Sequence, residues 1–146
     1  MPTGERRDPL AGFRFLVELD GLIAAGFSEV HGLEAEIEME EYREGGVNGY
    51  VHRLPKMTRQ SNLTLKRGLT GSTELWDWFK LAAEGWVSRR NGSIIVLDEQ
   101  GYEAWRWNFS GAYPVKWTGP ELRADSSTIA VESIEIAHQG LTAYGL

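Results

Sequence analysis

The sequence has no cysteine, which excludes disulfides, thiolate metal sites and cysteine nucleophiles. It also lacks an excess of positive charge. A net charge of −6 is the wrong sign for a nucleic-acid binder, whose signature is a basic patch. No apolar run approaches the ~18–20 residues of a membrane-spanning helix. Residues 1–10 are polar and lack the apolar segment of a secretory signal. These absences predict a soluble protein made in the cytoplasm. Histidine is scarce: His31, His52 and His138 fall in three extended segments, without the spacing of a metal site. The stretch Gly68-Leu69-Thr70-Gly71 lacks the full glycine spacing and the Lys-Ser/Thr ending of a phosphate loop. No catalytic constellation is visible, so the expectation is no enzyme, no cofactor and no metal.

What is present is alternation. At 146 residues the chain is sized for one domain spanning 1–146, with ordinary hydrophobic content of 42%. Residues 1–12 carry Pro2, Gly4, Pro9 and Gly12 among charges and read as an irregular N-terminal arm. Phe13, Phe15, Val17 and Leu19 then share one strand face. Asp20-Gly21 reads as a tight turn, and residues 22–27 as the returning strand of a hairpin.

The organising stretch follows. Leu33, Ala35, Ile37 and Met39 point one way; Glu34, Glu36, Glu38 and Glu40 point the other. A helix would scatter those carboxylates around its circumference, so the pattern is a strand with one oily face and one acidic ladder. Same-face carboxylates ~7 Å apart repel at physiological salt and need open water or cations nearby. Three environments satisfy them: a solvated outer face, a channel lining, or a neighbour's Arg53, Lys56, Arg59, Lys66 or Arg67. Four equivalent positions on one strand do not give the unlike environments that separate a catalytic acid from a base. Beyond the ladder come Gly45-Gly46 and Asn48-Gly49, which favour sharp turns, and a basic segment marked by Pro55. The connection is long for a hairpin, yet Tyr42, Val47, Tyr50, Val51, Leu54 and Met57 make it too apolar for a disordered tail. Residues 43–60 therefore read as a protruding hairpin that orders against a partner.

Ser72 or Thr73 can cap a helix in which Leu75, Trp78, Phe79, Ala82 and Trp86 form an apolar stripe ending near Gly85. Trp76 falls off the centre of that stripe. Ile94-Ile95-Val96-Leu97 reads as a strand buried on both faces. Trp105, Trp107 and Phe109 alternate with Arg106 and Asn108, and residues 113–117 form a further extended piece with Pro114 at an edge or bulge. Residues 128–138 are the last long strand, whose change of apolar parity after Val131 indicates a bulge or unequal burial of its ends. The six tryptophans fit a core first and an interface second.

The fold class is thus mainly β: a small antiparallel β-barrel or sandwich with one flanking α-helix and a long hairpin. Its open edges invite pairing with other copies, and head-to-tail stacking of rings propagates as a filament. A rival reading is a monomeric carbohydrate-binding β-sandwich using Trp105, Trp107 and Trp117 as an aromatic platform.

Several motifs in order carry a family likeness. Residues 13–20, Ala25-Gly26-Phe27-Ser28-Glu29-Val30-His31-Gly32-Leu33-Glu34, Glu41-Tyr42-Arg43-Glu44-Gly45-Gly46 and Leu63-Thr64-Leu65-Lys66-Arg67-Gly68-Leu69 are four of them. Glu74-Leu75-Trp76-Asp77-Trp78, Trp107-Asn108-Phe109, Pro114-Val115-Lys116-Trp117 and residues 132–138 continue the match. Together they resemble the tail tube proteins of contractile phage tails and phage-tail-like extracellular contractile injection systems. The resemblance implies a β-barrel flanked by a helix, assembled as hexameric rings that stack into a hollow tube within a contractile sheath. It implies as partners further copies of the chain, the sheath protein, baseplate or hub and tube-terminating proteins, and cargo or DNA in the lumen. It assigns inter-subunit contacts to Tyr42, Arg43, Glu44, Gly45, Gly46, Val47, Asn48, Tyr50, His52, Arg53, Leu54, Lys56 and Arg59. Sheet faces would line the lumen, with Glu34, Glu36, Glu38 and Glu40 as candidates.

Overall fold

One long strand belongs to two sheet layers, and this arrangement shapes the body of the molecule. The computed structural model describes residues 8–20, 26–42 and 52–145. In chain order the elements are β1 (Phe15–Leu19), β2 (Phe27–His31), β3 (Ala35–Tyr42), β4 (His52–Gln60) and β5 (Leu63–Gly68). They continue with α1 (Glu74–Ala83), β6 (Arg90–Leu97), β7 (Glu103–Thr118), β8 (Val131–Ala137) and β9 (Leu141–Gly145). Pairing runs β1-β6-β7-β8-β5-β2, with β9 on β7 and a separate β3–β4 ribbon.

The first part of β7 pairs with β6 and β9; its last residues pair with β8. Gly111, at φ 62°, lies between the two parts. A side chain there would be strained in the left-handed region and would meet the Gln139 side chain at 2.6 Å. A glycine corner of this kind lets one strand switch layers. The two extended segments expected at 102–110 and 113–117 are therefore a single strand. Pro114 sits at a register shift, where its missing N–H is tolerated.

Alternation places Val17, Leu19, Ile94 and Phe109 in one core layer, and Leu63, Leu65, Ile134 and Ile136 in the other. Leu75 and Trp78 of α1, which packs on β7, complete the core. Trp78 donates its indole N–H to the Ser88 carbonyl at 2.9 Å. Ile94 and Ile95 are 1% and 3% exposed although they point to opposite faces, as the continuous apolar run predicts.

Three expectations need correction, and a fourth, the hairpin across residues 20–27, lies largely outside the described residues. Among the described residues β1 pairs with β6 and β2 with β5, at the two ends of the sheet path. Trp86 lies past the end of α1 and is 73% exposed, because the helix stops at Ala83 and its apolar stripe ends there. The last expected strand is shorter, and β9 follows it as an additional strand. Finally, β8 carries no bulge in its pairing with β5. Its parity is unbroken because Glu132 points inward with Ile134 and Ile136, neutralised by Arg67.

Candidate assembly interface

The β3–β4 ribbon stands apart from both layers, and its root is rigidly specified. Gly32 has φ 94°, and a Cβ there would lie 2.0 Å from the Asn62 carbonyl oxygen, so only glycine fits. Ser61 donates its hydroxyl to Glu34 at 3.0 Å. The backbone N–H of Gly140 donates to His138 Nδ1 at 3.1 Å. That acceptor role puts the ring proton on Nε2, which donates to the Ser61 carbonyl at 2.9 Å. The β8–β9 turn thereby holds the ribbon where it leaves the body.

Within the ribbon, Glu36 faces Arg59, Ile37 faces Thr58, Met39 faces Pro55 and Glu40 faces Leu54. The register shifts between Ile37 and Met39, where β4 contributes one extra residue. Glu38 pairs with Arg59 at 3.3 Å, which offsets part of the carboxylate repulsion. The oily side of β3 is uncovered: Ile37 is 59% and Met39 60% exposed, and Leu54 and Met57 of β4 are exposed as well. The ribbon begins at Ala35 rather than at residue 43. Large apolar side chains on a projecting element mark an interaction surface.

Of the residues assigned to inter-subunit contact, Leu54, Lys56 and Arg59 are exposed on β4. Tyr42, His52 and Arg53 occupy the outermost described pairs of the ribbon. Arg43, Glu44, Gly45, Gly46, Val47, Asn48 and Tyr50 lie outside the described residues. Glu36, Glu38 and Glu40 share one side of β3 by alternation, while Glu34 precedes the strand and is held by Ser61.

A second feature escapes sequence reasoning. Among the described residues β1 and β2 do not pair, and an open cleft of about 330 Å³ lies beside them, lined in part by Phe15, Val30, Leu33, Ile94, Val96 and Trp107. No local signal announces it, since each apolar lining residue reads simply as core.

The tryptophans do not form the aromatic platform of the rival reading. Trp105 and Trp107 stack edge-to-face at 5.8 Å on the first half of β7. Trp117 packs on the second half against Trp76 of α1 at 5.0 Å. Trp107 and Trp117 pack on the core rather than sharing an exposed face. Among the described residues, no group of three or more histidines and carboxylates stands close enough to hold a metal ion, and no helix is long and apolar enough to cross a membrane.

Residues 11–142 match the model of the T4-like virus tail tube protein gp19 family. The chain belongs to this tail tube family. Its fold is similar to a chain of the anti-feeding prophage baseplate (TM-score 0.86, 25% identity, 96% of this chain and 98% of that one). It is equally similar to a chain of the PVC extracellular contractile injection system sheath–tube complex in the extended state (TM-score 0.84, 28% identity, 94% and 93%). A chain of the PVC sheath/tube terminator gives TM-score 0.85 at 29% identity over 95% and 99%. Hcp1 from Flavobacterium johnsoniae shares the fold at TM-score 0.54. No curated protein matches the sequence. The tail tube family is one of structural proteins.

Proposed function

We propose that this tail tube protein is the building block of the inner tube of a contractile injection apparatus or phage tail. Six copies close into a ring, rings stack head to tail into a hollow tube, and a contractile sheath surrounds it. Baseplate and terminator proteins cap its ends, and cargo or DNA occupies its lumen. The observation that carries this reading is the ribbon, whose apolar side chains Ile37 and Met39 are left more than half exposed. A head-to-tail contact joins two different patches, and an exposed apolar ribbon supplies one of them. The Glu36, Glu38 and Glu40 side lines the lumen, where an acidic wall repels polyanions over a Debye length of ~8 Å.

Deletion of residues 45–56 tests the docking role. The variant remains folded by circular dichroism and no longer polymerises in electron micrographs; normal tubes from it would count against the proposal. The Glu36→Gln, Glu38→Gln, Glu40→Gln triple variant tests the wall. It forms tubes that retain a fluorescent oligonucleotide longer than the parent does, and equal retention would place the glutamates elsewhere.

A further inference from the structure

His138 ties the ribbon root to the β8–β9 turn only while its ring is neutral. We infer that this junction is a pH-sensitive latch: protonation of His138 in mild acid opens it and uncouples the root of the ribbon from the start of β9. The latch lies within one chain and is independent of the tube assembly proposed above.

Both ring nitrogens are committed, and in opposite senses. Nδ1 accepts from the Gly140 N–H at 3.1 Å, and Nε2 donates to the Ser61 carbonyl at 2.9 Å. A neutral imidazole supplies one acceptor and one donor, whereas an imidazolium supplies two donors. A proton added at Nδ1 therefore points at the N–H of Gly140, and the acceptor is lost. Histidine is the side chain whose charge ordinarily changes between pH 5 and 8. The turn is fixed one residue earlier, where the Gln139 N–H donates to the Ser110 carbonyl of β7 at 2.9 Å.

The groups around the ring do not offset that loss. From β7 the Phe109 ring faces it at 6.2 Å between centres. On the ribbon side, Glu34 is bonded by the Ser61 hydroxyl at 3.0 Å. On β8, Glu135 is bonded by the Asn62 side-chain amide at 3.2 Å. Among the described residues neither carboxylate forms an ion pair with His138, so the added proton breaks a hydrogen bond and gains no salt bridge. Ser61 lies between the end of β4 at Gln60 and the start of β5 at Leu63, and Gly140 immediately precedes β9. One ring thus links the point where the ribbon enters the body to a strand that pairs with β7 alone.

Hydrogen exchange of the full-length protein, read amide by amide by mass spectrometry between about pH 8 and pH 5, tests the latch. Rates are corrected for the intrinsic pH dependence of exchange. Two variants without a titrating ring serve as controls. His138→Asn offers a side-chain oxygen to the Gly140 N–H, and His138→Gln keeps a donor for the Ser61 carbonyl. The expected result in the parent is a roughly three- to tenfold loss of protection at Gly140 across this range, with residues 59–62 loosening in step. The amides of α1 stay unchanged, and neither variant shows the step. Flat protection at Gly140 in the parent overturns the latch. A step that persists in either folded variant assigns it to another group and overturns it equally. Loss of protection in α1 at the same pH would make the event global unfolding, which also contradicts a local latch.

Discussion

Arg67 donates Nε–H to the Glu132 carboxylate at 3.0 Å, with both side chains more than nine-tenths buried. The two residues face each other directly across β5 and β8. The guanidinium also lies 5.6 Å from the centre of the Phe27 ring. Its Nη2 has no hydrogen-bond partner among the described residues. A buried pair that is only partly satisfied gains little over an apolar replacement, whereas breaking it strands a charge. Glu132→Ala is therefore expected to lose ~3–5 kcal/mol in urea denaturation, and the Arg67→Met/Glu132→Leu double variant to recover most of that loss. Equal loss in both would contradict this account of the pair.

The ribbon root depends on Gly32. Gly32→Ala forces a side chain into the left-handed region, at ~1–2 kcal/mol, before its clash with the Asn62 carbonyl is counted. A melting temperature lower by at least roughly 2–8 °C is expected, together with poor assembly. An unchanged melting curve would mean that the root adjusts freely.

Ile37→Asp and Met39→Asp separate assembly from folding. Both positions are exposed in the single chain, so stability should stay within ~0.5 kcal/mol of the parent. Tube formation should be lost, read by electron microscopy beside thermal unfolding. Variants that still form tubes would show that the oily face is not an interface.

Acidification acts through Glu103. Its hydrogen bond from Arg106, at 2.6 Å, holds the carboxyl below the ordinary carboxylate range. A depressed acid contributes stability above its unfolded pKa and loses it as pH falls through the folded one. Glu103→Gln should therefore be less stable than the parent at neutral pH and converge with it in strong acid. The effect is modest because the pair is partly solvated. A gap that persists unchanged into strong acid would assign it to packing.

The local pattern carried much of this fold. Strict alternation marked β1 and β3, the Ile94-Ile95 run marked a doubly buried strand, and Pro114 marked an edge or bulge. What local pattern could not carry was partnership over distance. Nothing near Asp20 indicates that β1 pairs with β6 and β2 with β5. Glu132 broke the apparent parity of the last strand because the cation that neutralises it is 65 residues away. Residues 113–117 read as a separate extended piece, whereas they continue through Gly111, at positive φ, as one strand with the segment before them. In the ribbon, the sequence revealed the two unlike faces, but the bareness of the oily one is visible only in three dimensions.

Sedimentation of the purified protein, with cryo-electron micrographs of the same sample, tests self-association most directly. The prediction is ring-shaped particles about an axial channel, lengthening into tubes as concentration rises. A single monomeric species at every concentration, with no rings on the grid, would contradict it.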